Sequence, residues 1–420
     1  MSAPSEVLSR HNVSCPFCGL ACDDLEVRID GTAATVTDKG CPRSVALFAT
    51  QSAASGSSAL LAGAPVPLAT ACGAAADILK ASRQPLIGGM GTDVGGVRAA
   101  LQLADRSGAI VDHMNTRGLM RNLMVLRDSG WMASTFAEVR TRADFVLIVG
   151  TDGISRFPRV IERLVTPVDS PFSDTPIRRQ VVYLGAEPGT AIDGLRTIAC
   201  PKERLGEVFA ALRGLLAGRA LQAARVAGID IETLRSLAEE MRAARYGVIA
   251  WAAADLDLAN AELIIQSICA LVADLNESTR FGGLPLGGND GDVTANQVTV
   301  WQTGFPLRSG FGRGVPEYDP YHFGSDALLA SGNADALLWI SSFDPQRLPP
   351  ATTAPTIVLG SPAMQFSTPP AVFIPVATPG LHHAGHFFRS DSVMAVRLRK
   401  LCDSPLPSVA QALAAIEQAL

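Results

Sequence analysis

The sequence predicts an α/β protein built on parallel sheets with helices on both faces, preceded by a separate cysteine-rich segment. Short β-rich runs alternate with stretches that carry apolar residues at helical spacing, from about residue 70 onward. Those runs lie beside Gly, Asp or Pro, as strands that end in functional loops do. Four cysteines crowd into the first 41 residues, outside that alternation.

At 420 residues the chain is too long for one core and predicts two or three domains. Hydrophobic content of 48% with 18% charged residues describes a globular protein. Net charge is −5 and the basic residues are scattered, so no nucleic-acid or anionic-membrane footprint is expected. The start, "MSAPSEVLSRHN", has no apolar core, and no uninterrupted apolar run reaches the length of a membrane span. The expected compartment is the cytoplasm. There the cysteines stay reduced, and a clustered set points to metal rather than disulfides. Cys72, Cys200, Cys269 and Cys402 stand alone and read as small buried hydrophobes.

The first element is "HNVSCPFCGLACDDLEVRIDG", where Cys15, Cys18 and Cys22 form a C-x2-C-x3-C array and Cys41 follows later. Pro16, Gly19 and Pro42 suit a tight wrapping turn. An iron–sulfur cubane needs four soft thiolates on one side of such a turn. A tetrahedral zinc site accepts the same four sulfurs, and an unoccupied set of thiols is the third possibility. Next comes "TQSAASGSSALLAGAPVPLAT", which reads as a connector.

Beyond it, strands are expected at 84–89, 109–114, 143–152, 180–189, 246–255, 334–345, 354–360 and 371–380, with helical patterns at 95–107, 202–217, 231–244 and 258–274. Residues 281–324, dense in Gly and aromatic residues, break the rhythm and read as a long functional or interface loop. Gly89, Gly91 and Gly95 with Asp112 approach a dinucleotide fingerprint, one residue too long, which leaves a nicotinamide or flavin site beside a plain turn. Asp152, Ser155 and Arg156 follow a strand's carboxyl end, and Arg156, Arg159 and Arg163 recur at helical spacing, as an anion site or a solvated face. His382, His383 and His386 offer a metal pair or ordinary loop histidines.

Four segments, "CPFCGLACDD…CPRS", "TFAEVRTRADFVLIVGTDGISRFPRVIERL", "TANQVTVWQTGFPLRSGFGRGVPEYDP" and "HHAGHFFRSDSV", together carry a resemblance over nearly the whole chain. The chain resembles the B subunit of formylmethanofuran dehydrogenase, in particular the bacterial version in the formyltransferase/hydrolase complex of methylotrophs. The resemblance implies a molybdopterin-oxidoreductase-like fold. It places a small four-cysteine domain at 1–55 and a central Rossmann-like domain at 56–134 and 276–420. A second Rossmann-like domain is inserted at 135–275, and no C-terminal barrel domain follows.

By the same resemblance Cys15, Cys18, Cys22 and Cys41 hold a [4Fe–4S] cluster, with zinc or no metal as alternatives. Arg43 matches the basic position that bridges cluster and pterin. Asp152, Arg159, His383, Gly385, His386 and Arg389 complete what is expected to be a vestigial pterin pocket. The departures set the functional expectation. Where redox relatives ligate tungsten or molybdenum with cysteine, this chain reads "VDHMNTRGLMRNL", and no cysteine lies between Cys72 and Cys200. Met114 lacks thiolate charge. The loop before Arg389 reads Gly385-His386-Phe387-Phe388, where the family carries Gly-Thr and then an aromatic.

The resemblance therefore implies a subunit without molybdenum or tungsten pterin, without catalytic residues of its own, and inactive by itself. Its complex would move formyl from a tetrahydromethanopterin carrier to a methanofuran-like carrier and release formate. Its partners would be an alpha hydrolase subunit, a gamma subunit and a delta formyltransferase subunit, with the carrier reached through the complex. Two alternatives stay open: a working molybdenum or tungsten dehydrogenase, and a nicotinamide-linked oxidoreductase. The Gly/aromatic segment is expected to pack on another subunit, which would leave the chain poorly soluble alone.

Overall fold

A computed structural model describes residues 7–53, 58–151, 153–172, 174–186 and 195–420. The chain opens with an antiparallel meander of β1 (Leu8–Val13), β2 (Leu25–Asp30) and β3 (Ala33–Asp38). In β2 the buried Leu25, Val27 and Ile29 alternate with more exposed residues, the period of a strand with one covered face. Helix α1 (Pro42–Ala53) starts on a proline, whose missing N–H costs nothing at a first helical position.

A short hairpin, β4 (Ala59–Leu61) and β5 (Ala64–Val66), leads to α2 (Leu68–Ala81), β6 (Pro85–Gly91), α3 (Val94–Ser107), β7 (Ile110–Val111) and α4 (Thr116–Asp128). Helix α5 (Phe136–Thr141) opens with a capping box between Thr135 and Glu138. It is followed by β8 (Phe145–Val149), β9 (Gln180–Gly185), β10 (Leu195–Ala199), α6 (Leu205–Leu216), a small hairpin of β11 (Arg225–Val226) and β12 (Ile229–Asp230), α7 (Ile231–Ala243), β13 (Gly247–Trp251), α8 (Ala261–Leu275) and β14 (Phe281–Pro285). The rest of the chain forms α9 (Asp292–Thr303), β15 (Ser309–Gly310), β16 (Glu317–Tyr318), α10 (Ser325–Ala330), β17 (Ala336–Ser341), β18 (Thr356–Gly360), β19 (Val372–Pro375), β20 (Gly385–Phe388), β21 (Ala395–Leu398) and α11 (Val409–Ala419).

These elements form two compact units, one of residues 1–116 and 288–420, the other of residues 117–287. In the first, nine strands run β16-β15-β7-β6-β17-β18-β19-β4-β5. The middle five are parallel and both margins are antiparallel. Residues 336–341 of β17 are all buried, as a central strand covered on both faces requires. In the second unit, five strands run β10-β9-β8-β13-β14, all parallel. Its core joins Phe145, Leu147 and Val149 to Leu205, Val208 and Leu212 of α6 and to Ile265, Ile268 and Val272 of α8.

Three expectations need correction. The stretch read as a connector contains β4 and β5, which extend the larger sheet; its Ser/Ala/Gly composition hid two very short strands. Residues 281–324 are not one irregular loop, because α9 spans twelve of them, its apolar positions masked by Thr and Asn. The larger sheet is mixed rather than parallel, since its margin strands are two or three residues long and leave no periodic signal. No helix among the described residues is long and apolar enough to cross a membrane.

Candidate functional site

The cysteine loop is shaped by its own backbone. Cys15 N–H donates to the Cys22 carbonyl at 2.7 Å, and Ala21 N–H to the Cys18 carbonyl at 3.0 Å, with Ala21 in the left-handed region at φ 45°. Cys41 stands at the head of α1. Its N–H donates to Ser44 Oγ at 2.9 Å, and Ser44 N–H donates to its sulfur at 3.4 Å. Cys15, Cys18 and Cys22 are buried. Burial pushes the Cys15 thiol well up, and the nearby thiols of Cys18, Cys22 and Cys41 add to the rise. Burial also raises Cys18, against hydrogen bonds from Leu20 and the charge of Arg43.

Four soft donors thus sit within electrostatic reach of one another, in surroundings that disfavour bare thiolates and so reward a bound cation. Among the described residues, however, no group of three or more His, Cys, Asp or Glu side chains is arranged to hold a single metal ion. A zinc ion with Zn–S of about 2.3 Å needs its sulfurs about 3.8 Å apart.

Distant segments pin this loop. Gly19 N–H donates to Asn289 Oδ1 at 3.2 Å, and Ser390 N–H donates to the Gly19 carbonyl at 2.8 Å. Gly288, at φ 87°, comes so close that a Cβ there would lie 2.8 Å from Gly19 Cα. A Cβ on Gly380 would touch Pro16 at 3.4 Å, so the histidine loop also abuts the cysteine turn.

A charged network adjoins it, centred on the buried carboxylate of Asp290. Arg43 reaches that carboxylate at 3.4 Å and Arg347 at 3.1 Å. Asn115 Nδ2 donates to it at 3.1 Å and to the Asn289 carbonyl at 2.9 Å. Arg347 also donates to the Met114 sulfur at 3.1 Å and to Asn115 Oδ1 at 2.5 Å. His113 is fully buried beneath. Its Nδ1 accepts from Asn115 N–H at 3.0 Å, so Nε2 carries the proton and donates to the Asp290 carbonyl at 3.1 Å. Burial lowers its pKa to about 4, against the pull of Asp290, while Arg347 adds to the lowering.

The remaining residues singled out from sequence fall as follows. Arg43 joins the network, but its Nε is buried without a hydrogen-bond partner among the described residues. Gly385 begins β20, where a Cβ would lie 2.4 Å from Asp93 Oδ2. Asp93 itself caps α3 by accepting from Gly96 N–H. His383 places Nδ1 on the Ala384 carbonyl at 2.9 Å, and its Nε2 is buried with no such partner among the described residues. His386 is exposed. His382 is buried, accepts from Thr378 N–H, and is pushed down to about 4 by burial and by His383. Arg389 is paired with Asp391 at 2.7 Å.

Arg159 belongs to the second unit, where it pairs with Glu162 at 2.5 Å, and Arg156 pairs with Asp255 there. The helix expected to carry Arg156, Arg159 and Arg163 is a π-helical turn at 161–165 instead. Asp152 lies outside the described residues. The glycine loop is spent on packing: a Cβ on Gly89, at φ 74°, would sit 2.5 Å from the Ile340 carbonyl. Asp112, the expected ribose partner of a dinucleotide, accepts instead from Ser325 N–H at 2.7 Å and Oγ at 2.8 Å and faces Arg308.

Sequence reasoning missed Asn115, Asp290 and Arg347. The run "GGNDGD" held the one available signal, since Gly, Asn and Asp tolerate the left-handed backbone that Gly288, Asp290 and Gly291 adopt.

No family model matches the chain. It is 35% identical over 283 residues to the B subunit of the formyltransferase/hydrolase complex Fhc of Methylorubrum extorquens, covering 65% of this chain and 72% of that protein. It is 28% identical over 412 residues to the B subunit of the tungsten-containing formylmethanofuran dehydrogenase 2 of Methanocaldococcus jannaschii, covering 94% of each. Among solved structures, a chain of the formyltransferase/hydrolase complex FhcABCD from Methylorubrum extorquens, determined with methylofuran, superposes with a TM-score of 0.74 at 30% identity, covering 86% of this chain and 98% of that one. Acetylene hydratase from Pelobacter acetylenicus shares the fold alone, with a TM-score of 0.60 at 10% identity over 98% of this chain and 69% of that one.

Proposed function

This chain belongs to the family of formylmethanofuran dehydrogenase B subunits and their Fhc counterparts, and we propose that it is a non-redox structural subunit of a formyltransferase/hydrolase complex. In that reading the complex transfers formyl from tetrahydromethanopterin to a methanofuran-like carrier and releases formate, with hydrolase and transferase chemistry on its alpha and delta subunits. This subunit supplies architecture: a four-cysteine domain and two interleaved Rossmann-like domains.

The observation that carries the proposal is the network around Met114. By the resemblance, the stretch that in redox relatives supplies a cysteine to the metal reads "VDHMNTRGLMRNL" here, without a cysteine, and Arg347 donates to the thioether sulfur of its Met114. Arg43, the residue expected to bridge cluster and pterin, is engaged by Asp290. Protein charges thus satisfy one another at a place where a redox relative would need them turned to a cofactor.

The cysteines are proposed to hold a [4Fe–4S] cluster that braces the domain. Their soft-donor chemistry and the burial of Cys15, Cys18 and Cys22 fit such a group. Bound there, it would tie the loop at 15–22 to the head of α1, and its binding free energy would add to folding. The deciding experiment is elemental analysis of the co-purified complex together with a formyl-transfer assay. The expected result is transfer activity without molybdenum or tungsten. Stoichiometric amounts of either metal would overturn the proposal.

A further inference from the structure

We propose that the second unit binds a small multivalent anion at the amino-terminal edge of its sheet. Ligands of parallel α/β sheets ordinarily bind outside the carboxyl ends of the strands. Here a cavity of about 500 Å³ is lined by residues that lead into the strands instead. Arg142 lies just before β8, Arg178 before β9, Arg245 before β13 and Arg280 immediately before β14. Parallel strands start on one edge, so four separate segments deliver one arginine each to the same hollow.

These four arginines are unlike their neighbours. Arg156, Arg196 and Arg213 in the same unit pair with Asp255, Glu240 and Asp274. None of the four cavity arginines makes an ion pair among the described residues. The carboxylate on the wall, Asp144, is turned to the backbone, accepting the N–H groups of Arg245 and Tyr246 at 3.0 Å each. The lining therefore presents four cations against one engaged carboxylate.

The wall is also built in advance of any ligand. Arg179 spends its guanidinium on carbonyls, donating to Val139, Ala143 and Pro167 at 2.7–2.8 Å, and so ties the end of α5 to the segment before β9. Arg142 lies 4.1 Å from the centroid of the exposed Phe172 ring, which holds its fork over the cavity. A pocket of this size suits a small molecule, and guanidinium forks match phosphate or carboxylate oxygens in pairs. Two or more negative charges on the ligand are needed to balance the lining. The ligand class is a small phosphate ester or a polycarboxylate.

The test is calorimetric titration of the purified complex with pyrophosphate and, separately, with citrate, using acetate as the monovalent control. The tighter of the two identifies which anion chemistry the site takes. The expected result is saturable binding that weakens as salt is raised. In the Arg245→Gln/Arg280→Gln double variant, binding should weaken about tenfold or more. Arg178→Gln alone, an exposed change outside every element, should weaken it by a smaller factor and guards against loss of fold in the double variant. Absence of binding by both polyanions, acetate binding as tightly as either, or affinity unchanged in the variants would overturn the proposal.

Discussion

Asp290→Asn removes one negative charge from the centre of the network and leaves almost everything else in place. Asparagine tolerates the left-handed backbone at φ 55°, so the substitution adds little strain. Removing one partner of a buried ion pair costs about 3–5 kcal/mol. Arg43 and Arg347 keep 27% and 37% of their side-chain surface exposed, so water recovers part of that, and about 2–3 kcal/mol is expected. For a unit of this size, that lowers the unfolding midpoint by about 4–12 °C.

Urea unfolding followed by tryptophan fluorescence reads the change, since the Trp339 indole donates to the Arg347 carbonyl at 2.9 Å and reports on that loop. Asp290→Ala should cost about 1–2 kcal/mol more, because alanine is strained in the left-handed region. Arg347→Ala should cost less in the Asp290→Asn background than in the parent, with a coupling of about 0.5–3 kcal/mol. An Asp290→Asn protein within about 0.5 kcal/mol of the parent, or zero coupling to Arg347, would show that these charges do not balance one another.

Stability should fall as pH is lowered from about 6.5 towards 4, because His113 and His382 are held neutral by burial, at about 4, in the folded chain. The unfolded chain binds those protons first, so each histidine contributes a slope of up to about 1.4 kcal/mol per pH unit within that window. His113→Gln should flatten its share when urea midpoints are compared at about pH 7, 6 and 5, and an unchanged slope would exclude it as a source. Cys15→Ser and Cys41→Ser should each lower the iron content of the purified complex and its thermal midpoint; iron unchanged in both variants would defeat the cluster. Gly89→Ala should cost about 3 kcal/mol or more, since it combines left-handed strain with a backbone collision at the Ile340 carbonyl, and a loss under about 1 kcal/mol would show that β6 shifts easily.

What the sequence made legible, and what it did not, divides along physical lines. Strands such as β8, β13 and β17 announced themselves because a buried central strand must be apolar throughout. The four cysteines stood out because soft donors at such short spacing are rare, and the fold does bring Cys15, Cys18, Cys22 and Cys41 within electrostatic reach of one another. The Asp290 network was not, because its members come from four segments far apart in the chain and a buried ion pair leaves no periodic mark. Arg43 and Met114 could be singled out, yet nothing local predicts that Arg347 reaches towards both, at Asp290 and at the Met114 sulfur.

That difference bears on function. A donor set can persist in sequence after its role has changed, whereas the engagement of its neighbours is visible only in three dimensions. Cys15, Cys18, Cys22 and Cys41 supply four soft donors close together. Beside them, Arg43, the residue the resemblance would place between cluster and pterin, and Arg347 are both engaged by the buried Asp290 carboxylate. A pterin in that place would compete with Asp290 for those arginines, and the Asp290→Asn experiment measures how much the pairing contributes to folding, about 2–3 kcal/mol. A large value would mean that the folded chain depends on Asp290 to hold Arg43 and Arg347, and a value near zero would leave both arginines available to another anion.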